Sequence, residues 1–250
     1  MSLDAVVTAA GRLPFEAARR YGTDVKALVR IGDASMLARL IGCLRLVPAV
    51  ARIVVVGPSA VRRQAPPVDE WVDESSSGER NIIAALAASR TQRTLYCASD
   101  LPFVSPQSVA GLMSVAPKAA DVVYPIVSKA SFCAHYPGAR ASFVRLADGQ
   151  WTGASVFIVN APLLLRKRGL LARAFASRKR VTALAGLLGP DLLLRYIVGR
   201  ATVPDVERRA GALLQGSVAA VTGIDPALAM DCDTAADIEY ARRLAAAPYA

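Results

Sequence analysis

The stretch Ala5-Val6-Val7-Thr8-Ala9-Ala10-Gly11-Arg12 decides the reading of this chain. A short apolar run without polar alternation passes directly into a loop of small residues. Such a run predicts a strand buried on both faces, which belongs in a parallel sheet covered by helices on each side. The next segments keep the rhythm. Asp33 or Ser35 can cap a helix running to Arg45, with Met36, Leu37, Leu40, Ile41 and Leu44 at helical spacing, and Arg52-Ile53-Val54-Val55-Val56-Gly57 follows as a second apolar run. Val68–Val72 then reads as a strand, Gly78–Ser89 as a helix, Thr94–Ala98 as a strand, Ser105–Val115 as a helix and Asp121–Pro125 as a strand. This alternation predicts an α/β fold, a Rossmann-like three-layer sandwich with a mostly parallel, mixed sheet.

After Ile126 the rhythm changes. Ser128–Gly138 reads as a loop, and Ala141–Leu146 and Ser155–Asn160 as strands with a turn at Asp148-Gly149 between them. Pro162–Gly199 is rich in Leu, Ala and Arg and reads as helical, with breaks at Gly169 and Gly189-Pro190; Pro204–Leu214 predicts another helix. Residues 161–215 are therefore expected to form a helical lid or subdomain within a single domain spanning 1–250. Ser217–Val221 returns to the sheet, and Asp233 or Thr234 caps a last helix through Leu244.

Of the 250 residues, 54% are apolar and 20% charged, which excludes a disordered or fibrous chain. No apolar run approaches the roughly 18 residues of a membrane helix. Asp4 stands where a signal peptide would carry basic residues, so export is not expected and the chain reads as cytoplasmic. Cys43, Cys97, Cys133 and Cys232 never form a C-x-x-C spacing and read as buried free thiols. The formal net charge is +10, which favours an anionic partner. Much of it is local: residues 161–210 hold eleven Lys and Arg against three acidic residues.

The loop Thr8–Arg12 ends the first strand, and so lies at the carboxyl edge of the sheet, where open α/β sheets bind ligands. Small side chains there let backbone N–H groups approach phosphate. Lys26, in Asp24-Val25-Lys26-Ala27-Leu28, can reach back to an anion held by that loop. Tyr96-Cys97-Ala98-Ser99-Asp100-Leu101-Pro102 is a strand ending in a carboxylate and stopped at once by proline, the placement expected of a Mg²⁺ ligand. Asp231-Cys232-Asp233-Thr234-Ala235-Ala236-Asp237 supplies a second acidic cluster, in which Asp233 pairs with Asp100 as a metal ligand or else caps the last helix.

These pieces, in this order, resemble the MobA-like NTP transferase domain family, nucleotidyltransferases of the GT-A type, over most of residues 3–246. The resemblance implies a nucleoside triphosphate bound by Ala9, Ala10, Gly11 and Arg12, with Lys26 on its phosphates and Gly78 and Asn81 facing base and ribose. It implies Mg²⁺ on Asp100 and Asp233, and an acceptor-side strand at Thr152 and Gly153. The reaction implied is transfer of a nucleotidyl group to a phosphorylated small-molecule acceptor, releasing pyrophosphate. Positive charge from Lys26, Arg12 and the metal at Asp100 would stabilise the leaving pyrophosphate. His135, the single histidine, is not needed, because an acceptor phosphate is already ionised; it reads as a surface loop residue. Two departures stand out: Ala10 replaces a second glycine, and thirteen residues separate Arg12 from Lys26, more than in compact members. Leu163–Val206 looks more like poorly characterised members than like the molybdenum enzymes.

Three readings of the basic region follow: Arg178, Lys179 and Arg180 bind the anionic acceptor, the region faces a membrane surface, or it is a solvated helix face. Nucleic acid is disfavoured, since aromatics make up 6% and no stacking motif accompanies the charge. The competing functions are a non-catalytic nucleotide-binding or regulatory protein on the same fold, against which the joint presence of Lys26, Asp100 and Asp233 argues, and a glycosyltransferase. The latter usually carries an Asp-x-Asp pair after a mid-sheet strand, whereas Asp231-x-Asp233 lies near the end of the chain.

Overall fold

The apolar run that opens the chain forms β1 (Leu3–Thr8), whose first five residues are all buried. A computed structural model describes residues 2–177 and 180–246. After β1 come the short hairpin of β2 (Arg30–Ile31) and β3 (Ala34–Ser35), then β4 (Val50–Gly57), β5 (Glu70–Asp73), β6 (Arg93–Ala98), β7 (Val122–Ser128), β8 (Val144–Leu146), β9 (Gly149–Gly153), β10 (Val156–Asn160) and β11 (Val218–Val221). All but the hairpin join one sheet in the order β5–β4–β1–β6–β10–β7–β9–β8, with β11 paired to β7. The pairs β5–β4, β4–β1, β1–β6 and β7–β11 are parallel; β10 runs antiparallel to both its neighbours and β9 to β7. The sheet is thus mixed and mostly parallel.

Alternate residues of the central strands feed two different cores, which is why their sequences do not alternate. Ala5 and Val7 of β1 and Ile53 and Val55 of β4 join the cluster on one face, together with α2 (Met36–Arg45), α5 (Pro106–Val115) and α6 (Lys129–His135). Val6, Val54 and Val56 join the other, against α4 (Gly78–Ala87), α7 (Ala161–Arg166) and α8 (Arg168–Ser177). A third cluster lies outside the sheet, where α1 (Phe15–Tyr21), the β2–β3 hairpin and α12 (Ala235–Ala246) meet. The remaining helices are α3 (Ser59–Gln64), α9 (Val181–Leu188), α10 (Pro190–Ile197) and α11 (Val203–Leu214), the last packed on β11. At the opposite end of β1 from the small-residue loop, buried Asp4 accepts from Arg52 Nη1 at 3.2 Å and from the Arg90 N–H at 2.6 Å, so this carboxylate is structural.

Several expectations require correction. Ser128–Gly138 is not a loop: Ser128 accepts from the Ser131 N–H at 3.1 Å and caps α6, which has Phe132 as its one buried residue and so little apolar periodicity to betray it. His135 is exposed, as expected, but ends that helix. The strand expected from Ala141 is confined to Val144–Leu146, and its hairpin partner β9 begins at Gly149, inside the expected Asp148-Gly149 turn, and runs through the acceptor-side strand expected at Thr152 and Gly153. The helical region breaks at Lys167, not at Gly169, which lies inside α8; the break at Gly189 is present, with φ at +124°. Cys43, Cys97 and Cys232 are buried free thiols, whereas Cys133 is exposed. No helix among the described residues is long and apolar enough to cross a membrane.

Candidate functional site

Thr8 and Ala98 are register partners at the carboxyl ends of β1 and β6, so the segments leaving these strands, Ala9–Arg12 and Ser99–Asp100, emerge side by side. They border a cleft of about 700 Å³ lined also by Lys26, Glu74, Ser75–Gly78, Asn81 and Tyr96. Tyr96 pins the strand end, its hydroxyl lying 2.8 Å from Thr8 Oγ1. Within the small-residue loop Ala10, Gly11 and Arg12 reach the cleft. Ala9 does not: it is fully buried, and its N–H donates to the Val56 carbonyl at 2.7 Å.

The long segment between Arg12 and Lys26 closes on itself. It holds α1 and returns to pair Arg12 with Val25 in an isolated antiparallel bridge, and the Lys26 N–H donates to the Gly11 carbonyl at 2.9 Å. The lysine is thereby fixed beside the loop whatever the length between them.

Lys26 Nζ lies 2.9 Å from Asp100 Oδ2 and 2.6 Å from Asp233 Oδ1. The two carboxylates come from distant parts of the chain that the backbone ties together, since the Cys232 N–H donates to the Asp100 carbonyl at 3.0 Å. Asp233 is not needed as the cap of α12, because another pair does that work: Thr234 Oγ1 accepts from the Asp237 N–H at 3.3 Å, and Asp237 Oδ2 accepts from the Thr234 N–H at 2.7 Å. Burial works against the Lys26 charge, but Asp100 and Asp233 more than offset it and hold the ammonium above the ordinary lysine range. Asp231 accepts from Ser155 Oγ at 3.0 Å. Burial first, then the charges of Asp100 and Asp233, push its carboxyl up to about 7, against the opposing pull of Ser155 and Lys26.

Two carboxylates therefore pair with one ammonium, and a third, Asp231, lies within electrostatic reach of all three groups. Among the described residues no three His, Cys, Asp or Glu side chains form a preformed metal cage. Two carboxylates suffice, however, for a hard divalent cation that keeps several waters, and Asp100 Oδ1 is buried without a hydrogen-bond partner. An orphaned carboxylate oxygen in an anionic corner fits such an ion, with Asp100 and Asp233 as the residues that would hold it.

At the other end of the cleft, Asn81 is buried and its Oδ1 accepts from the Ser75 N–H at 2.7 Å, fixing the loop before α4. Arg12 bridges to Glu74 in that loop and lies 3.6 Å from Asp24. Gly78 has no left-handed φ; it is glycine at a close approach, since a Cβ there would lie 2.7 Å from Phe175 Cζ. Not every residue singled out in the sequence arrives here. Thr152, buried, and Gly153 lie on β9, separated from β6 by β10 and β7, and do not line the cleft. Arg180 is exposed at the start of α9, and Arg178 and Lys179 lie outside the described residues. The acidic motif near the C-terminus announced Asp231 in the sequence, but nothing announced Phe175.

Residues 5–174 match the MobA-like NTP transferase domain family. Among solved structures, a hypothetical transferase from Thermus thermophilus is 29% identical, with a TM-score of 0.83, covering 95% of this chain and 100% of its own. The 2-C-methyl-D-erythritol 4-phosphate cytidylyltransferase of the same organism is 18% identical with a TM-score of 0.55, over 99% and 100%. A manganese complex of Rv0371c from Mycobacterium tuberculosis H37Rv is 19% identical with a TM-score of 0.52, over 97% and 99%. No curated protein matches the chain.

Proposed function

The chain belongs to the MobA-like NTP transferase domain family and is a nucleotidyltransferase; from that premise we propose that it transfers a nucleotidyl group from a nucleoside triphosphate to a phosphorylated small-molecule acceptor, with Mg²⁺ as cofactor. The observation that carries the proposal is Lys26, clamped between Asp100 and Asp233 beside the Ala10–Arg12 loop. In the reaction an acceptor phosphate oxygen attacks the α-phosphorus, a new P–O bond forms, and the bond to the bridging oxygen of the β-phosphate breaks, so pyrophosphate leaves with the electron pair. Bound at Asp100 and Asp233, Mg²⁺ would neutralise phosphate charge and act as a Lewis acid. Lys26 and Arg12 hold the triphosphate and stabilise the charge developing on the pyrophosphate, in a cleft already organised for it. An ionised acceptor phosphate brings its own nucleophilic oxygen, so no side chain has to take a proton. The manganese complex of a structural neighbour agrees with a divalent ion but does not choose among metals.

Arg178, Lys179 and Arg180, with Thr152 and Gly153, are proposed to bind the anionic acceptor. A thermal-shift panel of the four NTPs, each with and without Mg²⁺, tests the reading. A ligand at one hundred times its Kd adds about 2.7 kcal/mol of stability. At least one NTP should stabilise the fold only with Mg²⁺ present; silence from all four would favour a non-catalytic protein.

A further inference from the structure

Among the described residues, every one that lines the cleft comes from the first 100 positions of the chain except Phe175, carried in by α8 from the helical region. Its ring lies over the start of α4, so close that a methyl group at Gly78 would meet Cζ at 2.7 Å and Cε1 at 3.3 Å. The ring is half-buried, with one part on Gly78 and another facing the cleft.

The cleft is chemically divided. Lys26, Asp100 and the Ala10–Arg12 loop supply the charge and small-residue backbone that suit phosphates. The remainder, Ser75–Gly78, Asn81, Ile82, Tyr96 and Phe175, mixes hydroxyl and amide groups with apolar surface, and the one charge beside it, Glu74, is paired with Arg12. Such a mixture suits a nucleobase, which presents hydrogen-bonding edges and an apolar face. Ser75 Oγ, buried without a partner, is one group available to an edge. Ile82 and Tyr96 belong to the core on this face of the sheet, which leaves Phe175 as the aromatic wall contributed from outside the sheet and its flanking loops.

We propose that Phe175 is a positioning residue for the nucleobase, closing the base end of the cleft with its ring face, and that glycine is required at 78 to let the ring approach; this rests on the nucleotide-binding reading above. It makes the helical region part of the substrate site rather than an appendage.

The test compares NTP binding with binding of inorganic tripolyphosphate, which has no base. Base stacking on an aromatic side chain contributes enough for alanine substitution to weaken binding on the order of ten-fold or more. Phe175→Ala should therefore weaken the best NTP by about that factor and leave tripolyphosphate unchanged. Phe175→Tyr should restore NTP binding, whereas Phe175→Leu, which fills space without a π face, should not. Gly78→Ala should mimic the loss in the wild-type background and add little in Phe175→Ala, because the displaced ring is already gone. Phe175→Trp should report NTP, but not tripolyphosphate, as a change in its fluorescence against the Phe175→Ala protein. Equal loss of both ligands, full rescue by leucine, or NTP binding indifferent to Phe175 would overturn this inference alone. Failure of wild-type protein to bind any NTP would overturn the nucleotide reading and this inference with it.

Discussion

Asp231→Asn should stabilise the metal-free protein at neutral and alkaline pH while changing little near pH 4. The carboxyl rises from an ordinary 3.8 to about 7 because it is buried beside Asp100 and Asp233. The unfolded chain loses this proton near pH 3.8, whereas the folded chain keeps it to about pH 7. The folded state thus binds more protons across that window, and stability falls as pH rises through it. At about 1.4 kcal/mol for each of roughly three pH units, the cost reaches a ceiling of about 4 kcal/mol above pH 7. Asparagine keeps an acceptor oxygen for Ser155 and never ionises. Urea denaturation in chelator between pH 4 and 8.5 should show the variant overtaking wild type progressively, by about 2–4 kcal/mol at pH 8. Adding Mg²⁺ should narrow the gap, since a cation relieves the same repulsion. A difference between the two proteins that is constant with pH would refute the convergence of three carboxylates.

Asp100→Asn should keep the fold and lose divalent-dependent turnover; unchanged activity with unchanged metal dependence would exclude it as a ligand. Lys26→Ala should weaken NTP binding more than nucleoside binding, because its proposed partners in the nucleotide are phosphates, and should also lower stability by leaving a mostly buried Asp100 without its counter-charge. Equal loss for NTP and nucleoside would show that the lysine acts through structure. Changing Arg178, Lys179 and Arg180 together to Gln should raise the acceptor KM and leave NTP affinity unchanged. That effect should shrink with added salt, since exposed charges are screened beyond about 8 Å at physiological ionic strength. Loss of binding to anionic vesicles with unaltered kinetics would assign the cluster to a membrane surface instead.

The central strands were legible because they are buried on both faces: Val6 and Val7 serve different cores, and the sequence shows this as a run without alternation. The place of Asp100 at the cleft was legible because it follows the end of β6 and precedes Pro102, at the carboxyl edge of the sheet. What the sequence hides is local weakness and distant convergence. α6 has one buried residue and β9 is five residues that begin and end with glycine, so neither leaves a periodic signal. Gly78 is expected from the resemblance to face base and ribose; its φ is ordinary, and the reason for glycine there is a ring that arrives from α8. The thirteen residues before Lys26 read as a departure, yet the Arg12–Val25 bridge makes them irrelevant to where the lysine stands. Thr152, matched in sequence to an acceptor-side strand, lies on β9, with β10 and β7 between it and β6, a separation that only the topology shows.

The central claim is cleavage at the α-phosphorus, and the fate of labelled phosphate tests it most directly. With Mg²⁺ and a panel of phosphorylated acceptors, an NTP labelled at the α-position should pass its label to the acceptor, and one labelled at the γ-position should release it as pyrophosphate. Asp100→Asn should do neither. Release of the γ-label as orthophosphate, or an intact NTP with every acceptor, would contradict the account.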